Sequence, residues 1–321
     1  MTNARLPFIV ATSLFLAGCG RQEAPSGVTA AYSKDSGVSL REARQGFKTK
    51  LTRLESAREP VPVPPPRLFR PVHYDAAKGR MAAYLSPDPH DGRKHAAIIW
   101  ITGGDCNTIG DVWTEAPASN DQTASAFRKA GLIMMFPSLR GGSENPGFEE
   151  GFFGEVDDVL SAAEYLAKQD YVDPQRIYLG GHSTGGTLVL LVAESSDRFR
   201  AVFSFGPVED VAMHRPERLP FDTSSRREFE LRAPIRWLHA IKSPTFVFEG
   251  ASQPSNLRSL KDMARASTNP MVHFLPVPGA NHFSILAPTT QLIADKLSGD
   301  HGAATSLTFS DEELRKLLSK R

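Results

Sequence analysis

The sequence predicts an α/β domain, a mostly parallel central sheet with helices on both faces. Two observations predict it. Short apolar runs recur at Ala97–Ile101, Leu132–Phe136, Ile177–Leu179, Ala201–Phe205, Thr245–Phe248 and Val272–Leu275. Each has strand length and is nearly continuous in apolar residues, as strands buried on both faces are. Between the runs lie segments of helical period, and that alternation builds a covered parallel sheet. The chain of 321 residues, 40% hydrophobic and 23% charged, is long enough for one sizeable core. With a formal net charge of +1 and no long basic run, nothing argues for nucleic acid as a partner, and none is expected.

Taken in order, residues 1–19 stand apart. Arg5 gives a positive start, Leu6 to Leu16 is almost wholly apolar, and Leu16-Ala17-Gly18-Cys19 closes the run. The stretch is too short to span a membrane and follows the pattern of a signal segment. Its end resembles the lipobox of bacterial lipoproteins. That resemblance implies cleavage before Cys19, a lipid on Cys19, and a chain anchored to the membrane rather than crossing it. No Asp follows Cys19, which in lipoproteins implies sorting to the outer membrane, here on its periplasmic face.

Residues 20–66 are expected to be a tether with one helix and a proline-rich spacer. Residues 20–38 are small and polar without period. Ser39 to Glu55 reads as the helix, with Leu40, Ala43, Phe47, Leu51 and Leu54 at helical spacing. Pro60-Val61-Pro62-Val63-Pro64-Pro65-Pro66 must be extended, because each proline fixes its own φ and restricts its neighbour.

The predicted α/β domain runs from 67 to 321. Its helices are expected at Ser119 to Ala130, closed by Gly131, and at Glu155 to Lys168, which carries three acids in its first turn. A terminal helix from Ser310 to Arg321 is opened by a capping box of Ser310 with Glu313.

Gly181-His182-Ser183-Thr184-Gly185 is a G-x-S-x-G match. The five residues alone are weak evidence, and their context carries the weight. Arg176 to Gly180 reads as a strand and Thr187 to Ala193 as an apolar helix, so Ser183 sits on a sharp strand-to-helix turn. Such a turn lifts a nucleophile clear of the sheet and sets it at a helix N-terminus, which favours developing negative charge. Gly181 and Gly185 remove the side chains that would clash there.

Gly279-Ala280-Asn281-His282-Phe283 follows the last strand, so His282 stands where a general base belongs in the chain order serine, acid, histidine. The acid belongs in the loop after Thr245–Phe248, where Gln253 occupies the usual position. Glu249 is the sole carboxylate at that strand end and is the first candidate. Asp210, or its neighbour Glu209, after Ala201–Phe205 is the alternative. For the oxyanion, one donor is the N–H of Thr184; the other comes from Thr102-Gly103-Gly104-Asp105, with Gly104 and Asp105 both open. Cys106 has no base beside it in any motif and reads as a packed thiol.

Several linked segments then carry a family resemblance. Phe136-Pro137-Ser138-Leu139-Arg140-Gly141-Gly142, Glu155-Val156-Asp157-Asp158, Tyr171-Val172-Asp173-Pro174-Gln175-Arg176-Ile177 and Gly206-Pro207-Val208-Glu209-Asp210 together resemble the catalytic domain of prolyl oligopeptidase-like serine hydrolases. The resemblance covers about Leu68 to Leu297 and implies the α/β-hydrolase fold. The family's large peptidases also carry a β-propeller, for which this chain has no room.

The resulting expectation is a serine hydrolase that cleaves an ester or amide (peptide) bond through an acyl-enzyme on Ser183, with His282 as general base. The alternative is a catalytically degenerate hydrolase fold kept as an envelope-anchored binding lipoprotein, favoured only by Gln253 at the acid position. Residues 213–239 are a candidate lid, with Phe221, Arg226, Arg227, Phe229, Arg236 and Trp237 as candidate pocket residues; a plain solvated connection is the other reading. No metal-ligand cluster or phosphate-binding loop is present, so no cofactor is expected, and the expected partner is a small ester or peptide substrate. Nothing in the sequence fixes the oligomeric state.

Overall fold

Strand and helix alternate through residues 37–214 and 216–318, which are the residues described by the computed structural model. The signal segment, Cys19 and all of the tether before residue 37 lie outside the described residues. In chain order the elements are α1 Leu40–Ala43, β1 Arg70–Ala76, β2 Gly79–Leu85, β3 His95–Ile101, α2 Ser125–Lys129, β4 Ile133–Pro137 and α3 Glu155–Ala167. Then come β5 Val172–His182, α4 Thr184–Ala193, β6 Val202–Phe205, α5 Arg226–Glu230, β7 Thr245–Gly250, α6 Leu257–Ala266, β8 Val272–Val277, α7 Leu286–Ser298 and α8 Asp311–Lys316.

The strands form one sheet of order β1-β2-β4-β3-β5-β6-β7-β8. β1 with β2 and β2 with β4 are antiparallel; every other pairing is parallel. β3 shows how two-fold side-chain alternation feeds two cores. Its Ala97, Ile99 and Ile101 join one buried cluster with side chains of α3, α4 and α6. Its Ala96, Ile98 and Trp100 join the opposite cluster with those of α2, α7 and α8. Each fully buried aliphatic or aromatic side chain contributes about 1.5–3 kcal/mol to this three-layer arrangement.

The six strands expected from apolar runs are present, several a few residues longer; β5 starts early because Val172 pairs with His95 ahead of an irregularity, and regular pairing resumes at Ile177 with Ala97. The β1–β2 hairpin was not among them: its burial alternates on β1 but β2 carries Gly79, Arg80 and two alanines, with little of the β-branched signal.

Two helices are shorter than their periodicity suggests. The helix expected over Ser39–Glu55 is one turn, Leu40–Ala43, with the capping box of Ser39 and Glu42. Gly46, at φ +74°, ends it. Beyond that point tertiary pairing wins: Lys50 N donates to Glu228 Oε1 at 2.7 Å, Thr52 N to Pro220 O at 2.8 Å, and Leu51 bridges Phe221. Leu54, counted in the apolar stripe, is exposed. The helix expected over Ser119–Ala130 is confined to Ser125–Lys129, because Asp121 caps Thr123 in a local turn and Ala124 adopts a left-handed conformation. The capping box of Ser310 and Glu313 is formed as expected.

Under the loop after β3 lies a buried charged network. Arg140 donates to both carboxylate oxygens of Asp158 and to Glu150. Its backbone carbonyl and Glu155 Oε1 accept from Asn107 Nδ2. These bonds anchor the loop at Asn107.

Candidate active site

The polypeptide leaves β5 at His182 and enters α4 at Thr184 within a single residue, and Ser183 carries that reversal at φ +56°, ψ −114°. A non-glycine residue held there costs on the order of 1–3 kcal/mol, which surrounding bonds must offset. Ser183 N–H donates to Phe205 O at 2.7 Å, and Ser183 O accepts from Thr187 at the start of α4. The close packing needs the flanking glycines: a Cβ on Gly181 would fall 2.6 Å from Gly185 O, and one on Gly185 2.3 Å from Ile101 O.

His282 lies in the loop between β8 and α7, its backbone N–H bound to Pro254 O at 2.8 Å. Its Nδ1 stands 3.1 Å from Glu249 Oε2, with both residues buried. The other oxygen of Glu249 accepts from Gly250 N–H at 2.9 Å. With Nδ1 facing a carboxylate, the ring's free base nitrogen is Nε2. Gly206, at φ +59°, makes room for the pair: a Cβ there would lie 2.5 Å from His282 Cε1 and 2.6 Å from Glu249 Oε2. Asp210 is engaged elsewhere, accepting from Ala212 N–H at 2.9 Å as the cap of a 3₁₀ turn.

The loop after β3 comes up against the elbow. Thr184 Oγ1 donates to Gly104 O at 2.9 Å. The Gly103 N–H is engaged by Gln122 Oε1 at 3.1 Å, which leaves Gly104 and Asp105 as the loop's free candidates for a second oxyanion donor. Cys106 is buried, and burial, with Asp105 next, pushes its thiol well above its usual range, so the thiolate is disfavoured.

Beside Thr184 and Gly104 opens a cavity of about 390 Å³ whose walls include Glu149, Phe152, His214, Leu219 and Pro220. Of the stretch 213–239, only the early part reaches it. None of Phe221, Arg226, Arg227, Phe229, Arg236 and Trp237 lines it. Phe221 is buried under the Arg232 guanidinium, 4.1 Å away, and Trp237 Nε1 donates to Glu230 O. The stretch carries short 3₁₀ turns and the five-residue α5 rather than a helical cap.

Glu149 has a measurable consequence. Burial pushes its carboxyl up to about 7, and the Asp105 charge adds to the rise. The folded chain therefore binds this proton more tightly than the unfolded chain, where the ordinary value is 4.5. The stability this contributes is complete below that ordinary value and is lost as pH rises through about 7. Glu149→Gln removes the titration. Its stability relative to wild type is expected to grow from pH 5 to pH 8, by on the order of 1 kcal/mol given the residue's partial solvation. Urea unfolding of both proteins at the two pH values checks this; a pH-independent difference contradicts it.

The family model described as the prolyl oligopeptidase family matches residues 118–294, more than half of the chain and the span that holds β4 to β8, Ser183, Glu249 and His282. The chain belongs to the prolyl oligopeptidase family. It is thereby a serine peptidase of the prolyl oligopeptidase-like kind. Among its relatives is an uncharacterized peptidase, YtmA, of Bacillus subtilis, 25% identical over 212 residues that cover 61% of this chain and 77% of that one. Among solved structures, a puromycin-hydrolyzing peptidase of Mycobacterium tuberculosis superposes with a TM-score of 0.56 at 20% identity, over 72% of this chain and 39% of that one. A hyperthermophilic esterase from Pyrobaculum calidifontis superposes with a TM-score of 0.55 at 15% identity, over 73% and 86%. These likenesses show the α/β-hydrolase fold. This family member spans well under half of the solved peptidase and most of the esterase.

Sequence reasoning missed the part of the cavity wall formed by Glu149 and Phe152, and two polar residues beside the site, Gln122 and His182. The wall is assembled from segments about 70 residues apart, and its local signal was slight: Phe152 sits at φ +74° between Gly151 and Gly154.

Proposed function

We propose that this family member hydrolyses peptide or ester bonds through an acyl-enzyme on Ser183. His282 takes the serine proton on Nε2 and returns it to the leaving group, while Glu249 holds the ring and stabilises the imidazolium. The N–H of Thr184 and that of Gly104 or Asp105 hold the oxyanion. The observation that supports this reading best is the pairing of His282 Nδ1 with the buried Glu249 at 3.1 Å, in a chain whose serine occupies a strained elbow. The cavity beside Thr184 has the size of one or two residues of a peptide or of a small acyl group. Reaction with a fluorophosphonate, a mimic of the tetrahedral intermediate, tests the proposal: it must modify Ser183 and no other residue. A catalytically silent binding protein gains no support from the site, since such a protein has no need of a strained serine beside a paired histidine.

A further inference from the structure

We propose that His182 and Gln122 form a positioning pair that holds the oxyanion loop and the base loop in place against the nucleophile elbow. The proposal rests on the reading of Ser183 and His282 given above. His182 is completely buried and immediately precedes Ser183. Its Nε2 lies 2.9 Å from the backbone carbonyl of His282, and its Nδ1 lies 2.7 Å from Gln122 Nε2. A carbonyl only accepts, so Nε2 carries the proton and Nδ1 accepts from the Gln122 amide.

Gln122 continues the chain of bonds. Its Oε1 accepts from Gly103 N–H at 3.1 Å, and its Nε2 also donates to Asn120 Oδ1 at 2.9 Å. The amide orientation is thereby decided: reversed, it would set two donors face to face at Gly103 and leave His182 Nδ1 without one. Both nitrogens of His182 and both polar atoms of Gln122 are engaged. Three segments distant in sequence, around residues 103, 122 and 282, are tied to the residue beside the nucleophile.

The contact is also steric. A Cβ on Gly103 would fall 2.8 Å from His182 Nδ1 and 3.2 Å from Ser183 Cβ, so the loop rests directly on the ring. The His182 and His282 rings lie 4.5 Å apart between centroids. Burial, with the nearby His282 second, holds His182 down at about 3, so it stays neutral while its neighbour takes and gives a proton. Its bond to the His282 carbonyl is then the same throughout the reaction.

A buried histidine that merely fills space would affect stability and leave chemistry alone. A positioning pair affects the rate of the chemical step, because small misplacements of reacting groups cost up to about 100-fold. The test is the second-order rate at which a fluorophosphonate modifies Ser183. In that step the Oγ–P bond forms, the P–F bond breaks, fluoride leaves, and the serine proton passes to His282. The proteins are wild type, Gln122→Met, His182→Leu, the double variant, and His182→Gln, whose amide nitrogen reaches near the former Nε2.

The expected result is a loss of about 10- to 100-fold in each single loss variant. The double variant loses no more than the worse single, as members of one network do. His182→Gln recovers part of the rate, and in steady-state assays kcat falls while KM stays within twofold. Labelling of Gln122→Met within twofold of wild type overturns the proposal, as do fully additive losses. Should His182→Leu fail to fold, Gln122→Met alone decides, since Gln122 is only partly buried. A wild type that is not labelled at Ser183 overturns the Ser183 reading, and this one with it; normal wild-type labelling with unchanged variants overturns this one alone.

Discussion

Ser183→Ala is expected to lower turnover on both a peptide anilide and a small activated ester by about a millionfold, the scale of losing a triad nucleophile. The fold gives little reason for a stability loss. The elbow is held by Ser183 backbone bonds to Phe205 and Thr187, neither of which involves the side chain. Alanine at φ +56° carries the same backbone strain as serine. The melting temperature of the variant should therefore match wild type while kcat disappears. Both substrates must fail together, because both would pass through the same acyl-serine. Retained peptide cleavage in the variant would mean that another group attacks; buried Cys106, with its thiolate disfavoured, is not prepared for that.

Glu249→Gln is expected to lower kcat by about 10⁴-fold, as loss of a triad carboxylate does by imposing the wrong imidazole tautomer. The amide is nearly isosteric, Gly206 still leaves room for it, and Gly250 N–H can still donate to its oxygen. Its NH₂ group would face Nδ1, however, where the native carboxylate accepts from the ring. The imidazolium formed during attack would also lose a fixed negative charge in a dry site. Asp210→Asn should cost less than about threefold, because Asp210 caps Ala212 N–H, and an asparagine oxygen accepts there equally well. Steady-state rates for the two variants and wild type decide between the carboxylates. A large loss at Asp210 with little at Glu249 would reverse the assignment.

The contrast between these carboxylates shows what was legible in the sequence. Glu249 stood out as the sole carboxylate at the end of β7 although Gln253 occupied the usual position; the longer glutamate side chain reaches the ring from the strand itself. The elbow was legible because strand, serine and helix are contiguous, and a local signal suffices. The parallel sheet was legible because its inner strands are apolar on both faces. Residues 39–55 misled for the opposite reason. Their period was helical, yet Gly46 and pairing with residues 220–228 favoured an extended path. Gln122 and His182 were hidden because their bonds join residues 60 and 100 positions apart, which no spacing rule along one segment can report.

The most direct test of the account is intact-mass and peptide-mass analysis after reaction with a fluorophosphonate. One adduct per chain is expected, on the peptide bearing Ser183, formed rapidly in wild type and not in Ser183→Ala, and slowed by orders of magnitude in His282→Ala. An adduct elsewhere, or equal labelling of wild type and His282→Ala, would contradict it.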